Sequence, residues 1–345
     1  MKHFLITGAT GFIGRSYVQE LQKENVKITL LSRPKSFQKT KKLFPDLDVI
    51  GVDLEQGINE TFDMEKLQAV TDVVHVAGGY DIEMSFKNAY VSNILVSQNL
   101  IQLIKKIGQE KTIHLISSFS VVGNGKENLI TEDDLCLDEK KMSNYSFSKA
   151  KVEECFRKNI ESLNGHLRIY RPGIVVETRD GKRMEKIDGP YYFSSSLLKL
   201  KKLLKPMLFL CIPFSTKARL PLISIECLIK NLVLCTTQPT RESRIRSYFL
   251  FDENQYGVGE LIKAFFDIVG IRAKIIPLPK INTFKNITKR FGIPHELYDF
   301  MFMNNQYDLS NRIDDFPNWH TEENNALEIA RKILLSTPTK EQNYA

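Results

Sequence analysis

The sequence predicts an α/β fold: a doubly wound parallel sheet followed by a smaller mixed C-terminal region. Three observations carry this. A short apolar strand, Phe4–Thr7, runs straight into a glycine loop. Strand-like and helix-like segments then alternate up to about residue 172, a rhythm that implies crossover connections and a parallel sheet covered on both faces. The chain has 345 residues, enough for one large domain or two intimate ones at roughly 150 residues each.

The elements follow in order. Ile13, Tyr17, Val18 and Leu21 recur at helical spacing, so a helix follows the loop. Val26–Leu31 is rich in β-branched and aliphatic residues and reads as the second strand. Asp48–Val52, Val73–Ala77 and Thr112–Ser117 read as the next three, with a long helical segment at Met84–Lys106 before the last of them. A helix over Ser143–Ser162 and a strand at Leu167–Tyr170 close the regular part. Residues 1–172 are therefore assigned to dinucleotide binding, with the sheet completed by about 218–236 (a strand at Leu220–Ile225 and a helix after it). Residues 173–217 and 237–336 form the substrate region, and 337–345 a polar tail.

Composition narrows the function. Apolar residues make up 42% and charged residues 26%, which excludes disordered and fibrous classes. No apolar run reaches the roughly 20 residues that span a bilayer. The formal net charge is +7, suited to phosphorylated small molecules, and the basic residues do not interleave with aromatics as in nucleic-acid readers. Five cysteines without a C-x-x-C pair point to a reducing, cytoplasmic setting with no structural zinc. The start, Met1–His3 and then Phe4–Gly14, imitates a secretory signal. Gly8, Gly11 and Gly14 break its apolar stretch, and no cleavage site follows.

Four motifs carry chemistry. In Thr7-Gly8-Ala9-Thr10-Gly11-Phe12-Ile13-Gly14, Gly8 permits the turn and Gly11 lets the backbone approach a pyrophosphate at the helix N-terminus. Gly14 allows close packing, and the whole loop reads as a nicotinamide-dinucleotide site. At the end of the second strand an acid would accept from the adenosine ribose; Ser32-Arg33 stands there with Lys35 nearby and no carboxylate in competition, which favours NADP over NAD. Tyr145 and Lys149 share a helix face at i,i+4, where an ammonium lowers the phenol pKa and makes the tyrosine a usable acid or base. Ser118, just past the fifth strand, is placed to bond a substrate carbonyl. His75 and His114 read as structural, no His/Cys set has metal-ligand spacing, and no G-x-S-x-G supports hydrolysis.

Taken together and in this order, the glycine loop, Asp53-Leu54, His75-Val76-Ala77-Gly78, Asn93, Ser118, Tyr145/Lys149 and Arg171-Pro172-Gly173 resemble an extended short-chain dehydrogenase/reductase, a Rossmann-fold class that includes nucleotide-sugar epimerases and dehydratases. The resemblance covers about residues 1–235. It implies that Tyr145 is the acid/base, Lys149 its partner and ribose ligand, and Ser118 the carbonyl-orienting hydroxyl. Asp53 and Leu54 would lie at the adenine, with Ala77, Gly78, Asn93 and Pro172 also at the cofactor. Tyr80-Asp81, Thr131–Asp134 and Ile174–Phe193, with Lys186-Ile187-Asp188 inside it, resemble a narrower group, the thioester reductases and fatty acyl-CoA reductase-like proteins. That implies an acyl-CoA or acyl-carrier thioester as substrate. Glu177-Thr178 and Val96-Ser97 depart from that group's usual residues.

The reading is thus an NADP-dependent oxidoreductase acting on a carbonyl carbon. An epimerase or dehydratase and a non-catalytic cofactor sensor are the alternatives. The segment Leu197–Lys205 places Leu197, Leu200, Leu203 and Leu204 on one helical face and its lysines on the other. This is either a surface helix with a solvated basic side or the border of an acyl pocket continued by Met207–Ile212, and a membrane-surface role uses the same pattern. By analogy, the helices at Met84–Lys106 and Ser143–Ser162 offer a homodimer face.

Overall fold

The computed structural model describes residues 1–58, 64–81, 83–123, 129–179, 181–182, 184, 189–238, 243–281 and 294–338. Lys186-Ile187-Asp188 and most of the expected tail (339–345) lie outside the described residues. Seven parallel strands form the central sheet: β1 (His3–Thr7), β2 (Lys27–Ser32), β3 (Asp48–Gly51), β4 (Asp72–His75), β5 (Thr112–Ile116), β6 (His166–Pro172) and β7 (Ile245–Leu250). Their order is β7-β6-β5-β4-β1-β2-β3. Chain order reverses between β1 and β4, where Thr7 pairs with Leu31 on one side and His75 on the other. Ligands of such sheets bind outside the carboxyl ends of the strands at that point.

Both faces are covered, as the alternation of apolar residues in β1 requires. Phe4 and Ile6 pack with Tyr17, Val18 and Leu21 of the helix Phe12–Leu21 and with Leu228 and Leu232 of the helix Ile225–Thr237. Leu5 points the other way, into a core with Leu100, Ile104, Val152 and Phe156. The helix Phe12–Leu21 has no side-chain cap at Gly11. Burying Val18 and Leu21 contributes roughly 3–6 kcal/mol, against the ~1 kcal/mol a cap would add. Packing therefore holds this helix and leaves its N-terminus available to a ligand.

The structure differs from expectation at the sheet edge. The seventh strand is Ile245–Leu250, paired with His166–Pro172 from Ile245↔Leu167 to Leu250↔Pro172, and not the 218–236 segment. Leu222–Ser224 instead pairs with Ile174–Val176 in a separate two-stranded sheet, and the helix after it supplies the outer layer. A strand of the central sheet thus comes from the stretch assigned to substrate binding. The helices Pro190–Leu204, Val258–Val269 and Ala326–Ser336 enclose a third core around Leu197, Phe265 and Ile333.

Leu197 faces that core, whereas Leu203 is 67% exposed. The four leucines therefore do not share one buried face, and Leu197–Lys205 does not line the cavity at the carboxyl ends of the central strands. Met207, Leu208 and Phe209 are exposed as well.

Candidate active site

A cavity of about 930 Å3 opens at the carboxyl ends of β1, β4, β5 and β6. Its floor is the glycine loop. Gly8 has φ +79°, and a Cβ there would meet the Ala77 nitrogen at 2.5 Å. A Cβ on Gly14 would strike the Gly8 carbonyl at 2.1 Å. Two of the three glycines are thus demanded by close backbone approach. Gly11 meets only an ordinary 3.4 Å contact, so its missing side chain leaves room on the cavity side. Thr10, Phe12 and Ile13 line the same floor. An open helix N-terminus behind a glycine cradle fits the diphosphate of a dinucleotide.

The far wall of this floor is set by a buried chain of hydrogen bonds. The Ser97 hydroxyl donates to the Asn93 carbonyl at 2.7 Å, so Ser97 Oγ accepts from His75 Nε2 at 2.9 Å. His75 Nδ1 must then accept from Thr7 Oγ1 at 2.8 Å, and Thr7 accepts from the Ala77 N–H at 3.2 Å. Burial, with Lys149 nearby, pushes His75 down to about 3, so it stays neutral as this chain needs. Both expected structural histidines are of this kind. His114 bonds Asp72 at 3.0 Å and Tyr170 at 2.9 Å. Ser97, a departure from the thioester-reductase pattern, is thereby part of what fixes Ala77.

Asn93 is buried in a π-helical turn, Tyr90–Leu95, a distortion often found at functional sites. Its Oδ1 accepts from the Gly79 N–H at 2.7 Å, and its Nδ2 donates to Ser148 Oγ at 2.8 Å. Asn93 does not itself line the cavity; it clamps Gly79 beside Ala77 and Gly78, which do.

At the adenosine end, Leu54 lines the cavity, and its carbonyl is held by Asn99 Nδ2 at 2.8 Å. Asp53 accepts the Glu55 N–H at 3.0 Å and lies behind the wall. Arg33 lines the cavity, but Lys35 is exposed and does not. One expectation fails here. Glu55 bonds Arg33 Nη1 at 3.0 Å, so a carboxylate does compete at this place. It comes from beyond β3, out of reach of any local pattern.

Ser118, Tyr145 and Lys149 all line this one cavity, as does Pro172. Ser118 follows β5 and caps a short 3-10 turn. Its Oγ accepts from the Ser120 N–H at 3.2 Å and lies 2.9 Å from Ser120 Oγ. Tyr145 stands in the first turn of the helix Asn144–Asn159, which Ser143 caps. The Tyr80 ring meets the Tyr145 ring edge-on, centroids 4.6 Å apart. Lys149 is buried and donates to the Ile116 carbonyl at 2.7 Å, which aims its ammonium at the strand ends. Burial pushes Lys149 down to about 8, and Glu153 opposes this.

Tyr80, after β4, and Tyr191, in the first turn of the helix Pro190–Leu204, also line the wall; both lie in segments that resemble the thioester reductases. The sequence reading missed His295, Phe300, Met303 and Tyr307, which contribute from short C-terminal segments and loops. None of Leu197–Ile212 does. Glu177, the other departure, is buried. Its backbone N–H donates to the Tyr191 hydroxyl at 2.8 Å, and its carboxylate holds Arg179 at 2.6 Å, whose Nη1 donates to Ser16 Oγ at 3.1 Å. Among the described residues no group of three His, Cys, Asp or Glu side chains could hold a metal, and no helix is long and apolar enough to cross a membrane.

Residues 4–183, more than half of the chain, match the NAD dependent epimerase/dehydratase family. The chain belongs to that family. It is similar to a dTDP-4-dehydro-6-deoxyglucose reductase of Escherichia coli, with 26% identity over 52% of this chain and 58% of that protein. It is also similar to a chloroplastic epimerase-family protein of Arabidopsis thaliana, with 33% identity over 34% of each chain. The chain thus spans less than two thirds of the length of the curated relatives it matches.

Among solved structures, the terminal R domain from the myxalamid PKS-NRPS biosynthetic pathway superposes with a TM-score of 0.76 at 17% identity, over 98% of this chain and 90% of that one. MoeE5 in complex with UDP-glucuronic acid and NAD gives 0.64 at 18%, over 96% and 98%. At such identities these likenesses concern the fold.

Proposed function

We propose that the protein is an NAD(P)-dependent oxidoreductase that reduces or oxidises a substrate at a carbonyl carbon. The observation that carries this reading is the convergence of Ser118, Tyr145 and Lys149 on the cavity floored by the glycine loop. When bound, the nicotinamide cofactor supplies or accepts the hydride. The chain's own residues do the rest. Gly8, Thr10, Gly11, Phe12, Ile13 and Gly14 would hold the diphosphate, with Leu54 at the adenosine end and Ala77 and Gly78 beside the cofactor. Ser118 donates a hydrogen bond to the carbonyl oxygen, and Tyr145 delivers the proton to it. Lys149 donates one N–H to the Ile116 carbonyl; its others would serve the cofactor ribose and the phenol, where its charge would favour the phenolate.

Arg33 favours NADP through its charge, and Lys35 supports it only from outside the wall. Glu55 weakens that preference by pairing with Arg33. The apolar wall around Phe300 and Met303 suits a lipid-like carbonyl, with an acyl thioester as the substrate class proposed. The test is incubation with NADPH and medium- to long-chain acyl-CoA, following nicotinamide absorbance together with thiol release. Thiol appearing with NADPH loss supports thioester reduction. NADPH loss with simple aldehydes or ketones alone rejects the thioester and keeps the oxidoreductase. The Glu55–Arg33 pair favours a second reading, a sugar-nucleotide epimerase that retains NAD, since it lowers the positive charge available to a 2′-phosphate.

A further inference from the structure

On the C-terminal region, away from the cavity, Leu203, Met207, Leu208 and Phe209 are 67%, 44%, 78% and 57% exposed. They lie at the end of the helix Pro190–Leu204 and in the turn that leads to the strand Phe209–Pro213. The turn is a fixed element. Met207 N–H donates to the Leu204 carbonyl at 3.1 Å, and Lys274 N–H donates to the Leu208 carbonyl at 2.8 Å.

The strand pairs in parallel with Lys274–Leu278, Phe209 opposite Lys274 and Cys211 opposite Ile276. Side chains alternate along a strand. Leu210, Ile212 and Ile275 accordingly pack against the third core, and Phe209, Cys211, Lys274 and Ile276 form the exposed outer face. Solvent-facing apolar groups in one contiguous patch mark an interaction surface.

The charge of this surface is predominantly positive, although Glu260 and Asp267 line a groove with Arg272 and Lys274, and Lys280 pairs with Asp299. Residues 190–213 and 268–281 contain Lys199, Lys202, Lys205, Arg272 and Lys274 among their cations and no Asp or Glu. Among the described residues none of these five side chains is held in an ion pair. An apolar turn ringed by long, untethered cations fits a plane of diffuse negative charge over an apolar layer, which is the chemistry of an anionic lipid surface.

We infer that this turn and ribbon dock the protein on anionic membranes, with Leu208 and Phe209 entering the interface and the lysines contacting headgroups. The inference does not depend on the reaction proposed above.

The test is co-sedimentation of the full chain with vesicles of phosphatidylcholine alone and of phosphatidylcholine with phosphatidylserine, for wild type and for the double variant Leu208→Ser, Phe209→Ser. Both positions are exposed, so the melting temperature should not change. The expected result is binding to the phosphatidylserine vesicles only, weakened at least ten-fold in the double variant. Equal binding by wild type and variant would overturn the inference and leave net charge as the cause. So would no binding by wild type at low salt. A wild-type dimer that the double variant loses, with no lipid binding, would also overturn it and assign the face to self-association.

Discussion

Two cations are buried along one helix and the strand beside it, and the protein treats them in opposite ways. Arg171 is 0% exposed and donates to both carboxylate oxygens of Glu153, at 3.0 and 2.7 Å, and to the Glu132 carbonyl at 2.9 Å. Lys149, one helical turn before Glu153, is 6% exposed and, among the described residues, donates only to the Ile116 carbonyl. A buried guanidinium with a bidentate acid keeps its charge and locks two elements together. A buried ammonium bonded to a neutral carbonyl has a proton that is easy to lose, so Lys149 sits near 8. The first cation ties the helix to the strand, and the second lines the cavity with a proton that is easy to lose, as the proposed chemistry requires.

Arg171→Met should break this contrast most severely. It leaves Glu153 buried with Arg157, 3.9 Å away, in place of a bidentate guanidinium, and we expect a loss of about 3–5 kcal/mol in denaturant unfolding. Replacing both partners by leucine should recover most of that loss. Lys149→Met removes a charge that burial penalises and leaves only a carbonyl unbonded, so at pH 7 it should stay within about 2 kcal/mol of wild type. A loss as large as that of Arg171→Met would mean that Lys149 is structural too.

Acidity sharpens the contrast. Between about pH 8 and the ordinary lysine pKa near 10.5, the unfolded state keeps the Lys149 proton and the folded state has released it. The unfolded state then binds more protons, so this group's contribution to stability rises with pH. It is unfavourable below pH 8 and relieved above. Tyrosines and buried cysteines raised by burial pull the other way. The difference between wild type and Lys149→Met isolates the lysine. Unfolding curves at pH 7.5 and 10 should show wild type gaining about 2–3 kcal/mol on the variant. A constant difference would place the Lys149 pKa at its ordinary value.

The smallest effect is expected at the exposed pair. Arg33 and Glu55 retain 47% and 28% side-chain exposure, so their coupling should be worth at most about 1 kcal/mol. Glu55→Gln should shift the ratio of NADPH to NADH affinity toward NADPH by about 1.5- to 5-fold, read by fluorescence titration. Arg33→Ala should remove the preference. An unchanged ratio in both variants would detach cofactor choice from this pair.

What the sequence disclosed was local. The glycine loop, the i,i+4 pair of Tyr145 and Lys149, and Ser118 after a strand are short-range patterns, and backbone geometry alone brings them to one edge of a parallel sheet. What it hid was long-range. Glu55 reaches Arg33 across neighbouring strands from 22 positions away, and β7 closes the sheet from within a stretch of irregular rhythm. The helix at 197–205 misled because its leucine spacing announces an apolar face without saying what covers it. Leu197 met a core, and Leu203 met solvent. The residues at 295–307 on the cavity wall carry no motif, since their grouping depends on how short segments pack.

The central claim is that the glycine loop and Tyr145 serve one redox site. It is tested most directly by NADPH deuterated at the transferring position, offered with a panel of aldehydes and acyl thioesters and read by mass spectrometry of the products. Wild type should place deuterium on the former carbonyl carbon. Tyr145→Phe should bind NADPH with nearly unchanged affinity and transfer it roughly 10²- to 10⁴-fold more slowly. Transfer by Tyr145→Phe at the wild-type rate, or NADPH binding by wild type with no transfer to any carbonyl, would contradict the account.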